Sequence, residues 1–83
     1  MRLMNKTIID KYNNKWVSLG NEEKYVLWND GSETYFKDGN FHNLNGHATK
    51  WRDGTKRYYI KHEWYHNFIQ YIRDVIKYKR DNL

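Results

Sequence analysis

The chain has 83 residues, no cysteine, no proline and a formal net charge of +5. That length builds one domain around one small core, and the missing cysteines exclude disulfides and thiolate metal sites as supports for it. No apolar run approaches the ~20 residues of a membrane-spanning helix, and Met1–Lys6 lacks the apolar stretch of a secretory leader, so a cytoplasmic protein is expected.

A mean hydropathy of −1.15 would suit a disordered chain. The aromatic content of 18% argues otherwise, because each buried ring removes roughly 150–250 Å² from water. The charge is lopsided. Residues 1–49 hold six basic and six acidic groups, whereas residues 50–80 hold nine basic against three acidic. The second half therefore carries a positive field suited to nucleic acid, anionic lipid or an acidic protein surface.

In chain order, Asn13-Asn14, Gly20-Asn21, Asp30-Gly31, Asp38-Gly39, Asn45-Gly46 and Asp53-Gly54 punctuate the sequence as turns. Between them, short aromatic and β-branched segments predict strands near Thr7–Lys11, Lys15–Leu19, Lys24–Trp28, Glu33–Lys37, His47–Trp51 and Lys56–Lys61. Short loops make neighbouring strands antiparallel, so the expected fold is α+β: an antiparallel β-meander closed by a C-terminal amphipathic helix. From Asn67 the apolar period becomes helical through Phe68, Ile69, Ile72, Val75 and Ile76. Asn67 is the expected N-cap with Gln70 in capping-box position, and Lys77, Lys79 and Arg80 favour the C-terminal end of the dipole. The expected core is Trp28, Trp51, Tyr35 and Tyr58 with Phe68, Ile69, Ile72 and Ile76.

The middle of the chain repeats itself. Trp28, Asp30-Gly31 and Tyr35-Phe36 recur 23 residues later as Trp51, Asp53-Gly54 and Tyr58-Tyr59; Phe41-His42-Asn43 recurs 24 later as Tyr65-His66-Asn67. Copies of a hairpin-sized unit build a sheet, since one copy cannot bury its own apolar side. The unit, with Tyr35-Phe36, Gly39, His42 and Asn45-Gly46-x-Ala48, resembles MORN repeats, and more closely the MORN-like repeats of phage and bacterial proteins. The resemblance covers residues 28–67. It divides a single domain, 1–83, into N-terminal strands (1–27), two degenerate repeats (28–67) and the helix (67–80). Ala48 stands where the pattern has a second Gly, and His62 replaces Gly39 in the second copy, so that turn is expected to be lost. The resemblance implies scaffolding or membrane attachment, with no single enzymatic activity.

His62-Glu63-Trp64-Tyr65-His66 matches the zinc-hydrolase pattern His-Glu-x-x-His, whose chemistry needs both histidines on one helix face. With a helix starting at Asn67, the two histidines fall in extended chain, about 13 Å apart at ~3.3 Å per residue, too far to share a metal. No nucleophile elbow, Gly-rich phosphate loop or carboxylate pair appears. No catalytic residue, metal or cofactor is therefore assigned. His42 and His66 are expected to anchor turns by bonding backbone.

A basic-aromatic surface is the better candidate. Alternation sends Arg57, Tyr59 and Lys61 to one face, away from Tyr58 and Ile60, and repeat logic sets Phe36 where Tyr59 sits. The predicted partner-binding residues are Phe36, Phe41, Arg57, Tyr59, Lys61, Arg73, Lys77 and Arg80. Such a composition marks protein-interface hot spots. The alternative is a nucleic-acid surface of Lys50, Arg52, Lys56, Arg57, Tyr59 and Lys61, where rings stack bases and cations neutralise phosphates. Small size, the resemblance and the Asn/Lys/Ile/Tyr-rich composition lead to an expected phage-encoded binding protein that alters a host protein, with a CRISPR-type defence effector as one target class. Exposed sheet edges make a homodimer a further expectation.

Overall fold

A computed structural model describes residues 6–81; the first five residues of the predicted N-terminal strand region lie outside them. Eight strands and one helix follow in order: β1 Thr7–Ile9, β2 Lys15–Gly20, β3 Glu23–Leu27, β4 Glu33–Lys37, β5 Asn40–Phe41, β6 Thr49–Lys50, β7 Lys56–Ile60, β8 Glu63–Tyr65 and α1 Phe68–Asp81. All pairings are antiparallel, in the order β1-β2-β3-β4-β6-β7-β8, and the outer edge of β4 is shared by β5 and β6. The molecule is therefore a plate, 39 × 38 × 17 Å, with α1 lying on its β7–β8 end.

The plate is built from three hairpins. Each begins with a wide turn in which the first N–H donates to the carbonyl four residues on: Asp10 to Asn14 (3.0 Å), Trp28 to Ser32 (2.9 Å) and Trp51 to Thr55 (2.8 Å). The fourth residue of each turn needs positive φ, supplied by Asn13 (65°), Gly31 (93°) and Gly54 (95°). In the second and third turns an Asp side chain bonds the last N–H, Asp30 to Ser32 and Asp53 to Thr55, both at 2.9 Å. The first hairpin shares this backbone pattern without the Trp and Asp-Gly signature, so the repeat extends one unit further towards the N-terminus than the sequence displays.

The expected loss of the second repeat's turn does not occur. Asp38-Gly39 joins β4 to β5 with φ of 52° and 82°, and Lys61-His62 joins β7 to β8 with φ of 49° and 72°. Two L-residues are held in the left-handed region there. The ring of His42 offsets their strain: its Nδ1 accepts the Lys61 N–H at 2.9 Å, and the Phe41 carbonyl accepts the His62 N–H at 2.7 Å. His42 is buried, so the expected anchoring role is seen at this histidine. His66 differs: it is exposed, with its ring 3.7 Å from that of Trp64.

Asn67 caps the helix, its Oδ1 accepting the N–H groups of Ile69 (2.8 Å) and Gln70 (3.2 Å). Gln70 does not close a capping box; its amide reaches forward to Asp74 at 2.9 Å. The buried side of α1 is Tyr71 and Val75, with Tyr78 half-buried beside them, packed on Ile60, Tyr58, Tyr65 and Leu44. This corrects the expected core. Ile69, Ile72 and Ile76 are 62%, 38% and 60% exposed, and Phe68 and Trp51 are also exposed. Tyr71 wins the interior because its hydroxyl serves the 43–46 loop: it donates to the Asn43 carbonyl (2.6 Å), lies 2.9 Å from the Gly46 carbonyl and accepts the Gly46 N–H at 3.2 Å. An isoleucine there would leave those backbone groups without partners. Among the described residues, no helix is long and apolar enough to cross a membrane.

Candidate binding face

Directly paired residues share a sheet face, and the register sorts the aromatics by type. The pairs Trp16–Val26, Val26–Thr34, Thr34–Thr49, Thr49–Arg57 and Tyr59–Trp64 put one set of side chains on one side, with Phe36 paired to Phe41 among them. The other side holds Tyr25, Tyr35, Tyr58, Ile60 and Tyr65, and α1 covers its β7–β8 end.

The first side carries the tryptophans. Trp28 continues the alternation of β3 and folds back over the sheet, its Nε1–H donating to Thr34 Oγ1 at 2.8 Å. Its ring meets Trp16 edge-on at 5.8 Å, and Trp16 stacks on Phe36 at 6.4 Å with planes 9° apart. The row continues through Phe36–Phe41 at 5.5 Å and Phe41–Tyr59 at 5.0 Å. Beyond Tyr59, Arg57 lies over Trp64, 4.2 Å from its ring centroid, a favourable cation–aromatic distance. Trp51 continues from β6 and borders, with Trp28, a cleft of about 330 Å³ floored by Asn14 and Ser32. All four tryptophans of the chain thus join Phe36, Phe41 and Tyr59 on one face. Shallow grooves of about 450 and 280 Å³ flank Trp16, the larger towards Ile8 and Ser18, the smaller towards Phe36 and Gly39.

The rings on this face are fixed by short local bonds. Asp10 accepts the Trp16 Nε1–H at 3.0 Å and the Asn14 N–H at 2.9 Å. The backbone N–H of Asn14 holds the Asp10 carboxyl below the ordinary carboxylate value, and those of Ser32 and Thr55 do the same for Asp30 and Asp53. On the other side, burial and then the Glu33 charge push the Tyr25 hydroxyl up to about 12. Burial, followed by a 2.6 Å bond to Asp74, pushes Tyr65 up as well. These tyrosines stay neutral and act as hydrogen-bonding struts.

The predicted partner-binding residues fall on two surfaces. Phe36, Phe41, Arg57 and Tyr59 come together as predicted. Lys61 does not join them: the strand ends at Ile60, the left-handed turn redirects the chain, and its Nζ lies 5.2 Å from the ring of Tyr78 on the helix side. Arg73, Lys77 and Arg80 are exposed on α1, which packs against the opposite side of the sheet. The predicted nucleic-acid set divides the same way. Arg57 and Tyr59 lie on the tryptophan face, the pair Lys50–Lys56 faces the other side, and Arg52 sits in an exposed turn. Trp28 and Trp51, expected in the core, lie on this face, and Trp16 and Trp64 join them without having been among the expected binding residues. Alternation carried past β3 and β6 sets Trp28 with Val26 and Trp51 with Thr49, but joining all four takes the cross-strand register of Trp16–Val26 and Tyr59–Trp64.

The His-Glu-x-x-His segment runs as a left-handed turn at His62 and a strand at Glu63–Tyr65, with the helix starting only at Phe68. The helical spacing that chemistry needs is therefore missing. Among the described residues, no group of three or more His, Asp or Glu side chains clusters in a way that could hold a metal ion. A scan against family models, and searches of curated proteins and of solved structures, return no match for this chain.

Proposed function

We infer that this chain is a small, non-enzymatic protein-binding module that docks through its tryptophan face. One observation carries the reading: all four tryptophans, with Phe36, Phe41 and Tyr59, share the sheet side opposite α1. Tryptophan, tyrosine and arginine dominate the residues whose truncation costs most in protein interfaces. Large apolar patches on small soluble domains mark interaction sites. Arg57 and Lys24 border the rings, so the complementary surface is an apolar patch with an acidic edge. The scatter of the six nucleic-acid candidates over both sides of the plate weighs against a continuous phosphate track. The likeness to phage and bacterial MORN-type repeats extends the proposal to a phage-encoded modulator acting in the host cytoplasm, with a CRISPR-type defence effector as one target class.

The test is capture from host lysate with the wild-type chain and with Phe36→Ala/Tyr59→Ala, each checked for an unchanged thermal melt. A partner identified by mass spectrometry should be retained by the wild type and lost by the double variant. Equal capture by both would place the interface elsewhere. A gel-shift series with single-stranded and duplex DNA and RNA should show no retardation at low salt. A shift that weakens steeply as salt rises would point to phosphate binding instead.

A further inference from the structure

The tryptophan face leaves one feature unused. Ile69, Ile72 and Ile76 recur at i, i+3 and i+7 on α1, point away from the Tyr71–Val75 side that packs on the sheet, and are 62%, 38% and 60% exposed. At 1.5 Å per residue the stripe is about 10 Å long, the footprint of two turns of a partner helix. Exposed Arg73, Lys77, Lys79 and Arg80 surround it. Of the helix's acidic groups, only Asp81 meets that border, and only at Arg80. Asp74 is turned to the other side, held by Tyr65 (2.6 Å) and Gln70 (2.9 Å), and Asp81 sits at the last helical residue, 3.7 Å from Arg80. We propose that this stripe is a second docking surface, separate from the tryptophan face, and that its occupant is an amphipathic helix of another protein with acidic residues flanking its apolar side.

Charge selects that occupant. A second copy of this chain, laid antiparallel about a point midway between Ile72 and Arg73, would match Ile69 to Ile76 but bring the two Arg73 side chains within one residue, about 1.5 Å, of each other along the axis, and like charges set that close are destabilising. Acidic flanks on a partner helix turn the same cations into attractive pairs that steer encounter and fix register. With two separate surfaces, the molecule can hold one partner on the sheet and another on the helix.

The probes are two synthetic, helix-stapled peptides with one shared leucine stripe, flanked by Glu in one and by Lys in the other, titrated by fluorescence anisotropy against the full chain. The Glu peptide should bind at least ten-fold more tightly at low ionic strength, with the gap narrowing as salt screens the flanks. Ile72→Ser should weaken that binding at least ten-fold, and Ile76→Ser, at a residue 60% exposed, should weaken it as well while leaving the melt unchanged. Arg73→Glu/Arg80→Glu should invert the peptide preference. Phe36→Ala/Tyr59→Ala should leave peptide binding intact, which separates failure of this proposal from failure of the tryptophan-face reading. Equal affinity for both peptides, or none, overturns it. So does an Ile72-dependent dimer in sedimentation, or Ile72-dependent binding to phosphatidylserine vesicles without peptide binding.

Discussion

Replacing His42 by Ala should remove the clasp that holds two non-glycine residues in the β7–β8 turn. His42 is 5% exposed, its Nδ1 accepts the Lys61 N–H at 2.9 Å, and its ring lies 5.6 Å from that of Tyr78. Losing the bond costs about 1 kcal/mol, because the surface position of Lys61 lets water replace part of it. Losing the buried ring, with a partly collapsed cavity, costs roughly 2 kcal/mol more. For a domain of this size each kcal/mol shifts the midpoint by about 4–8 °C, so a drop of about 12–24 °C is expected in thermal unfolding followed by circular dichroism. The same residue gives a pH signature. Burial pushes the His42 pKa below its ordinary value of 6.5, and an acceptor Nδ1 must be unprotonated. The stability it contributes is therefore fully present above about pH 6.5 and is lost as pH falls through the folded-state value. Melts at about pH 8 and about pH 5 should show the wild type losing stability between them, with a smaller loss in His42→Ala. A variant within about 0.5 kcal/mol of wild type at the higher pH, or one with the same acid sensitivity, would refute this account.

Tyr71→Phe keeps the ring but withdraws the hydroxyl from the Asn43 and Gly46 backbone groups, and should cost about 2 kcal/mol in urea unfolding; a neutral result would mean the 43–46 loop is held by other contacts. Glu22→Gly relieves a left-handed residue at φ 61° in the β2–β3 turn and should raise stability by about 0.5 kcal/mol, an effect disproved by a lower urea midpoint. Asp10, Asp30 and Asp53 titrate below the ordinary 3.8. Their stabilisation is present above that value and is lost as pH falls through their folded-state values, so the wild type should show a second acid loss there. Asp30→Ala/Asp53→Ala should flatten it, and an unchanged acid limb would remove these turns from the explanation.

The meander was readable because Asp-Gly and Asn-Gly turns fix where a strand must reverse, and β4 falls at the residues their spacing predicts. The first hairpin's kinship to the other two was hidden, because Asn13 does the work of a glycine and Asp10 bonds its turn from a different position. The Lys61-His62 turn was unreadable locally, since its support comes from His42, nineteen residues away. The helix was found but rotated in expectation. Hydropathy ranks isoleucine above tyrosine, whereas the loop at 43–46 needs a buried hydroxyl that only the Tyr71 side supplies. The binding face was half legible: Phe36, Phe41, Arg57 and Tyr59 follow from alternation, while the tryptophans needed the strand register.

The two ends of the plate are spliced through β6, where Thr49 and Lys50 pair with the strands on either side and Ala48 adds backbone bonds to Tyr35 (2.7 Å) and Arg57 (2.9 Å). Beyond β6 the seam is carried by single backbone bonds, Asn43 to Tyr59 (3.1 Å) and His62 to Phe41 (2.7 Å), instead of the continuous five-residue ladder between β3 and β4. The ring contact from Phe41 to Tyr59 bridges it like a strap. Anything that grips those two rings together would stiffen the whole molecule, and amide hydrogens flanking the seam would then exchange more slowly.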